Sequence, residues 1–214
     1  MPSTTEEISE ILNNDDIHKK ISLLSNLTEI TDSNIIKQII SALDDKEIRI
    51  RGEAFSSLFL NDNDISDVLI SSLTDGSKNI RGFSALILAN RGDVNSINSL
   101  INLVDDISSM VRACAFGALG HLRAKQAKKE IHAGIFDDNS EVKKSAAFAL
   151  YLIEEKFSDL EKKELENQND DEFKKILKWW TGRDLNPWPH ACHARILPGW
   201  TTGPLQTLRM KQIL

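Results

Sequence analysis

Five histidines and two cysteines are the residues of this chain that could ligate a metal or supply a strong nucleophile. Their densest group is His190-Ala191-Cys192-His193, where imidazole and thiolate both suit zinc, but the flanking residues do not supply four ligands at a workable spacing. His121 and His132 fall near one junction between helical runs and read as solvated or capping histidines, not a metal pair. Cys114, in Arg112-Ala113-Cys114-Ala115, sits among small residues and reads as a small core side chain. No G-x-S-x-G elbow, phosphate-binding loop or dinucleotide fingerprint occurs. The sequence therefore assigns no catalytic, cofactor-binding or metal-binding residue, and no cofactor.

The chemistry that does recur is ion pairing. Four segments repeat one pattern: LDDKEIRIRGEAFSSL from Leu43, LTDGSKNIRGFSALIL from Leu73, VDDISSMVRACAFGAL from Val104 and IFDDNSEVKKSAAFAL from Ile135. Each sets an aspartate two residues after an aliphatic one (Asp45, Asp75, Asp106, Asp137) and then an aliphatic followed by a base (Ile50-Arg51, Ile80-Arg81, Val111-Arg112, Val142-Lys143). A small residue follows (Ala54, Ser84, Ala115, Ala146), then a leucine (Leu58, Leu88, Leu119, Leu150). The bases recur at intervals of 30, 31 and 31 residues, the signature of an array of structural repeats.

The elements that must position these residues are helices. Asp32 or Ser33 caps a helix running through Leu43 with Ile35, Ile36, Ile39 and Ile40 buried, and a second helix runs from about Lys46 to Leu60. The pair recurs as 64–73 with 77–90, 95–104 with 108–122, and 125–135 with 139–155. Ser3-Thr4-Thr5-Glu6 has capping-box spacing, and two amphipathic runs before Leu27 form a degenerate first unit. The aspartate of each turn, or the residue after it, is expected to cap the second helix. Gly52 and Gly82 are expected to lie against a neighbouring backbone, since each costs about 1 kcal/mol relative to alanine in a helix. The expected fold is all-α, an α-solenoid of stacked helix pairs without strands. Regular repeats cover about 32–156 of a domain at 1–178, with degenerate caps, and 154–175 forms a solvated capping pair.

Composition limits the environment. Hydrophobic content of 41% and charged content of 27% fit an ordinary soluble protein, and no apolar run is long enough to span a bilayer. Two cysteines make no disulfide framework. The acidic start of the chain has neither the basic nor the apolar part of a signal peptide. A cytoplasmic location without membrane association is the expectation. The net charge of −6 is concentrated as acid in the repeats, the last residues being weakly basic.

The aliphatic-x-Asp turn followed by Val/Ile-Arg, a small residue and Leu resembles the HEAT-like repeats, specifically the short-repeat branch named after the phycobilisome lyases. The resemblance implies a short right-handed α-solenoid. It also implies that Asp45, Arg51, Asp75, Arg81, Asp106, Arg112, Asp137 and Lys143 form a structural ladder between neighbouring units. Lys143-Lys144 departs from the single arginine of the other copies, so its rung lacks the planar fork. The wider family includes a metal-dependent hydroxylase with His-Glu dyads, but no histidine here precedes a glutamate. It also includes bilin lyases and DNA alkylation-repair enzymes. The first expectation is a non-enzymatic protein-binding scaffold or adaptor. Its concave face is lined by the second helices, and Arg49, Glu53, Lys78, Ser109 and Glu141 are the candidate partner-binding residues. A lyase or chaperone-lyase of the bilin branch is the alternative, and a nucleic-acid-binding protein the second alternative. Acidic repeats favour a basic or neutral protein segment. The bases at 123, 125, 128, 129, 143 and 144 alternate with Glu130, Asp137, Asp138 and Glu141, which disfavours nucleic acid.

Residues 179–214 are of different character. All four tryptophans fall there, and the periodicity stops. Gly182-Arg183-Asp184-Leu185-Asn186-Pro187 and Pro198-Gly199-Trp200-Thr201-Thr202-Gly203-Pro204 resemble the antisense translation of a transfer-RNA gene. The expectation is a non-repeat, disordered read-through tail with no selected function.

Overall fold

The structure, a computed structural model, describes residues 5–155, 158–160 and 162–163. All lie in the first of the two units into which the chain divides, Met1–Thr181 and Gly182–Leu214. The capping box at Ser3, most of the 154–175 segment, the 178/179 boundary and the tail fall outside the described residues.

Ten α-helices and no strand occur among the described residues, arranged as five pairs: α1 (Thr5–Asn13) with α2 (Ile17–Leu24), α3 (Ser33–Ser41) with α4 (Ile48–Leu60), α5 (Ser66–Ser71) with α6 (Lys78–Asn90), α7 (Ile97–Asn102) with α8 (Ser109–His121), and α9 (Lys128–Gly134) with α10 (Ser140–Leu152). The protein is an all-α solenoid. One pair cannot bury its own apolar stripe, so the pairs stack. Ile36, Ile39, Leu43, Ile50, Leu58, Leu69, Leu88, Leu100, Val111, Leu119, Val142 and Leu150, each at most 1% exposed, form one core running through the stack. The small residues Ala54, Ser84, Ala115 and Ala146 are fully buried. Ser84 stays satisfied there because Ser72 Oγ donates to its hydroxyl at 2.7 Å.

The turn aspartates act differently from the expected caps. Asp45, Asp75, Asp106 and Asp137 each accept, through Oδ1, the N–H two residues on, at 2.7–2.8 Å from Glu47, Ser77, Ser108 and Asn139. Those acceptors' partners are the N-cap residues themselves, so the carboxylate stiffens the turn before the helix begins. Capping proper is left to Ser77 on α6 and Asn139 on α10, whose side chains accept from the first helical N–H groups.

Two glycines bring the second helices together. A Cβ at Gly120 would lie 2.7 Å from Ala149 Cα, so α8 and α10 touch backbone to backbone there. At Gly82 the neighbours are the side chains of Met110 and Cys114 at 3.2–3.3 Å, not a backbone. Accordingly α6, α8 and α10 pack along their lengths, whereas α4 meets α6 over a shorter stretch. No helix among the described residues is long and apolar enough to cross a membrane.

Candidate functional site

Along the edge formed by the turns inside each pair, bases and aspartates meet across unit boundaries. Arg81 Nε and Nη2 donate to both carboxylate oxygens of Asp106 at 2.6 and 2.9 Å, and Arg112 does the same to Asp137 at 2.7 and 2.8 Å. The remaining nitrogen, Nη1, donates to the backbone carbonyl of the arginine's own turn, Asp75 and Asp106 respectively. Each arginine thus ties its own turn to the next.

Burial decides how much these contacts weigh. The Arg81–Asp106 side chains are 11% and 9% exposed, far from the solvated pairs that contribute almost nothing. Hydrogen bonding to Asp106 raises Arg81, and hydrogen bonding to Asp137 raises Arg112. Burial pushes the Asp106 and Asp137 carboxyls up, but the arginine hydrogen bonds and the turn N–H outweigh it, so both lie below the ordinary carboxylate value.

The ladder is interrupted at one rung. Arg51 Nη1 donates to the carbonyls of Asp45 and Lys46 at 2.6 and 3.2 Å, as its equivalents do, yet no ion pair joins Arg51 to Asp75 among the described residues. The formed rungs span 25 residues. Between Asp45 and Asp75 the repeat is one residue short, which moves Asp75 off the line of the fork and leaves it exposed. Lys143 is felt electrostatically by Asp137 of its own turn; the next turn, which would carry its rung, lies outside the described residues.

An additional rung stands at the N-terminal end. Lys20 Nζ donates to Asp45 Oδ2 at 3.0 Å, with side chains 11% and 13% exposed. Asn14 Oδ1 accepts the N–H of Asp16 at 2.9 Å, as the turn aspartates do. Both residues were legible: stepping the register back one unit from Arg51 and Asp45 lands on Lys20 and Asn14.

The opposite edge is held by loops. Asn61 and Asn63 donate through their side-chain amides to the carbonyls of Ile30 and Glu29 at 2.7 and 3.1 Å. Arg91 in turn donates to the carbonyls of Leu58, Asn61 and Asn63.

The five candidate partner-binding residues fall on the second helices but not in one patch. On α4 and α10 helical geometry and exposure together mark an outward stripe at two residues before the base and two, five and nine after it, whereas on α6 and α8 the equivalent Phe83, Leu86 and Cys114 are buried. Arg49 and Glu53 lie on that stripe of α4, one turn apart; Glu141 lies on that of α10, where Oε1 accepts from Lys144 Nζ at 2.9 Å. Lys78 and Ser109 open α6 and α8 one residue earlier, about 100° around the helix from the stripe. Of the equivalent positions that the sequence reading missed, Asn79 on α6, Met110 and Gly117 on α8 and Phe148 on α10 are half exposed, whereas Phe83 and Leu86 on α6 are buried. Only repeat register, not residue type, marks them.

The basic cluster near 123–144 is largely neutralised. Lys128 Nζ is 2.8 Å from Glu155 and Lys125 Nζ 3.8 Å from Glu154, while Lys144 is buried. Burial pushes the Cys114 thiol up to about 12, so it is neutral and a poor nucleophile at pH 7. Among the described residues, no group of three or more His, Cys, Asp or Glu is placed to hold a metal. His190 and His193 lie outside them.

Residues 66–156 match the family described as HEAT repeats. Among solved structures, the chain is similar to the complex of CpcE and CpcF of phycocyanin lyase from Nostoc sp. PCC7120, at 20% identity and a TM-score of 0.50, covering 82% of this chain and 75% of that one. It is also similar to an engineered protein (19% identity, TM-score 0.49, 79% of this chain and 93% of that one) and to a designed armadillo repeat protein in complex with the peptide (KR)4 (17%, 0.47, 79% and 94%). No curated protein matches the sequence. The likeness to the phycocyanin lyase complex is one of fold.

Proposed function

We propose that the chain is a non-enzymatic protein-binding scaffold or adaptor, presenting the row of second helices as the concave face of a short solenoid. One observation carries the reading. The formed rungs of the ladder consume their charged residues in internal contacts, whereas the starts of α4, α6, α8 and α10 leave charged, polar and apolar side chains exposed or half exposed, among them Arg49, Glu53, Asn79, Met110 and Glu141. A surface that alternates in this way suits a protein segment better than a phosphate backbone, and the acidic balance of the chain points the same way. Capture with the immobilised full chain, followed by mass spectrometry and compared with retention of a labelled nucleic-acid duplex, tests it. Enrichment of a protein at moderate salt is the expected outcome. Retention of the duplex alone, weakening steeply with salt, transfers the assignment to nucleic acid.

A lyase or chaperone-lyase activity is the second reading, favoured by the fold likeness to the phycocyanin lyase complex. Incubation with a bilin and a cysteine-containing phycobiliprotein, followed by absorbance of the purified acceptor, tests it. No transfer of pigment above the uncatalysed level removes this reading.

A further inference from the structure

Three arginines occupy the same place near the start of α4, α6 and α8, and all three are anchored alike. Arg51 Nη1 donates to the carbonyls of Asp45 and Lys46 at 2.6 and 3.2 Å, as Arg81 and Arg112 hold the carbonyls of Asp75 and Asp106. The other edge of the fork, Nε with Nη2, clasps both oxygens of a carboxylate at Arg81 and at Arg112. At Arg51 the same two nitrogens meet no acceptor among the described residues, and neither is sealed from solvent. The carboxylate that register assigns to them belongs to Asp75, which is exposed and out of ion-pair reach. Asp75 keeps its turn bond from the Ser77 N–H at 2.7 Å and feels Arg81 of its own unit. The junction of α4 and α6 thus displays both halves of a rung, an arginine fork and a carboxylate, with neither joined to the other.

We infer that this junction takes an aspartate or glutamate of a partner protein into the Arg51 fork, with a lysine or arginine of the same segment beside Asp75; the inference rests on the scaffold reading above. The fork is set before its ligand arrives, because Nη1 already fixes the guanidinium plane. Two parallel N–H groups then match a carboxylate, the ligand that the same fork holds in the next two units. Arg51 is half-buried, so the contact is screened less by salt than one between solvated side chains. The surroundings choose a mixed-charge segment over a free anion. Asp44, which accepts from Asn79 Nδ2 at 2.7 Å across this junction, and Asp75 are exposed carboxylates. Both repel a bare phosphate or sulfate and attract a base.

The test is a titration of the isotope-labelled full chain with a synthetic Gly-Ser peptide containing Glu-Gly-Lys, followed through the arginine Nε–H resonances. In the free chain the Nε–H groups of Arg81 and Arg112 should exchange slowly with water and that of Arg51 quickly. The peptide should shift and slow the Arg51 signal saturably and leave the other two unchanged. Replacing its glutamate with glutamine should abolish the effect. Arg51→Lys keeps the charge without the fork and should weaken binding about tenfold, the loss of one charge-assisted hydrogen bond. Arg51→Met should abolish binding, with the Arg81 and Arg112 signals of both variants unchanged. A slow Arg51 Nε–H in the free chain, no shift with peptide, equal shifts at all three arginines, or an Arg51→Lys variant that binds as well as wild type overturns the inference. So does slowing of the Arg51 signal with protein concentration alone, which would assign the fork to a second copy of the chain. Capture from lysate separates this failure from that of the scaffold reading. If a protein is retained equally by wild type and by Arg51→Met, the scaffold stands and the assignment of the fork falls. If neither retains one, both fall.

Discussion

Arg81 and Asp106 form a two-point contact, Nε and Nη2 to Oδ2 and Oδ1, while the third arginine nitrogen holds the carbonyl of Asp75. One side chain therefore sets the spacing of two consecutive turns. Arg51 has the same backbone contacts and lacks the carboxylate.

That difference is measurable. Arg81→Met should cost about 2 kcal/mol more than Arg51→Met, because only the former strands a partly buried aspartate. Denaturant unfolding of both variants checks it, and equal losses would remove the ladder as a source of stability.

The same contacts give a pH dependence. Asp106 and Asp137 lie below their ordinary value in the folded chain, so around pH 4 the unfolded chain binds more protons. Their contribution is complete above the unfolded value, about 4, and is lost as pH falls through the lower folded values. Unfolding midpoints should drop over that acid range, and drop less in a variant carrying Asp106→Asn and Asp137→Asn.

Two glycines of α8 should respond with opposite signs. Gly117→Ala adds a methyl group to open space and removes backbone freedom, and should stabilise by about 1 kcal/mol. Gly120→Ala drives a Cβ into the Ala149 backbone and should destabilise by about 1–3 kcal/mol. Thermal melts of the two variants decide it.

The ends of α6, α8 and α10 share one device: Gly92, Arg123 and Glu154 have φ of 71°, 50° and 64°, and the next N–H returns to Leu88, Leu119 and Leu150. Only the first has the residue suited to it. Arg123→Gly should raise stability by up to about 1 kcal/mol, read as a higher melting temperature.

The helix pairs were legible because the core positions recur with aliphatic and small residues that have no other explanation. Lys20 and Asn14 were legible by register alone, though their types differ from the later copies. The shortened interval before Asp75 is visible in the sequence, but its effect on Arg51 depends on about one ångström-scale step of reach that spacing does not specify. Gly117, Gly120 and Gly134 look alike as letters. Only the neighbours distinguish them: open space at the first, Ala149 backbone at the second and the Phe116 ring at the third. The stripe was the least legible part, since a half-buried Glu53 and an exposed one are the same residue until α4 is placed.

The junction between α4 and α6 is fastened more heavily on one side than on the other. Arg91 stitches three carbonyls of Leu58, Asn61 and Asn63 at the loop edge, while the turn edge, beyond the 2.7 Å bond from Asn79 to Asp44, has no ion pair among the described residues. A stack closed along one margin and lightly held along the other opens like a book, with Arg91 as its spine. Backbone amides of the Asp75 turn should therefore exchange with solvent sooner than those of the Asp106 and Asp137 turns, and a partner lying across α4 and α6 would close the covers.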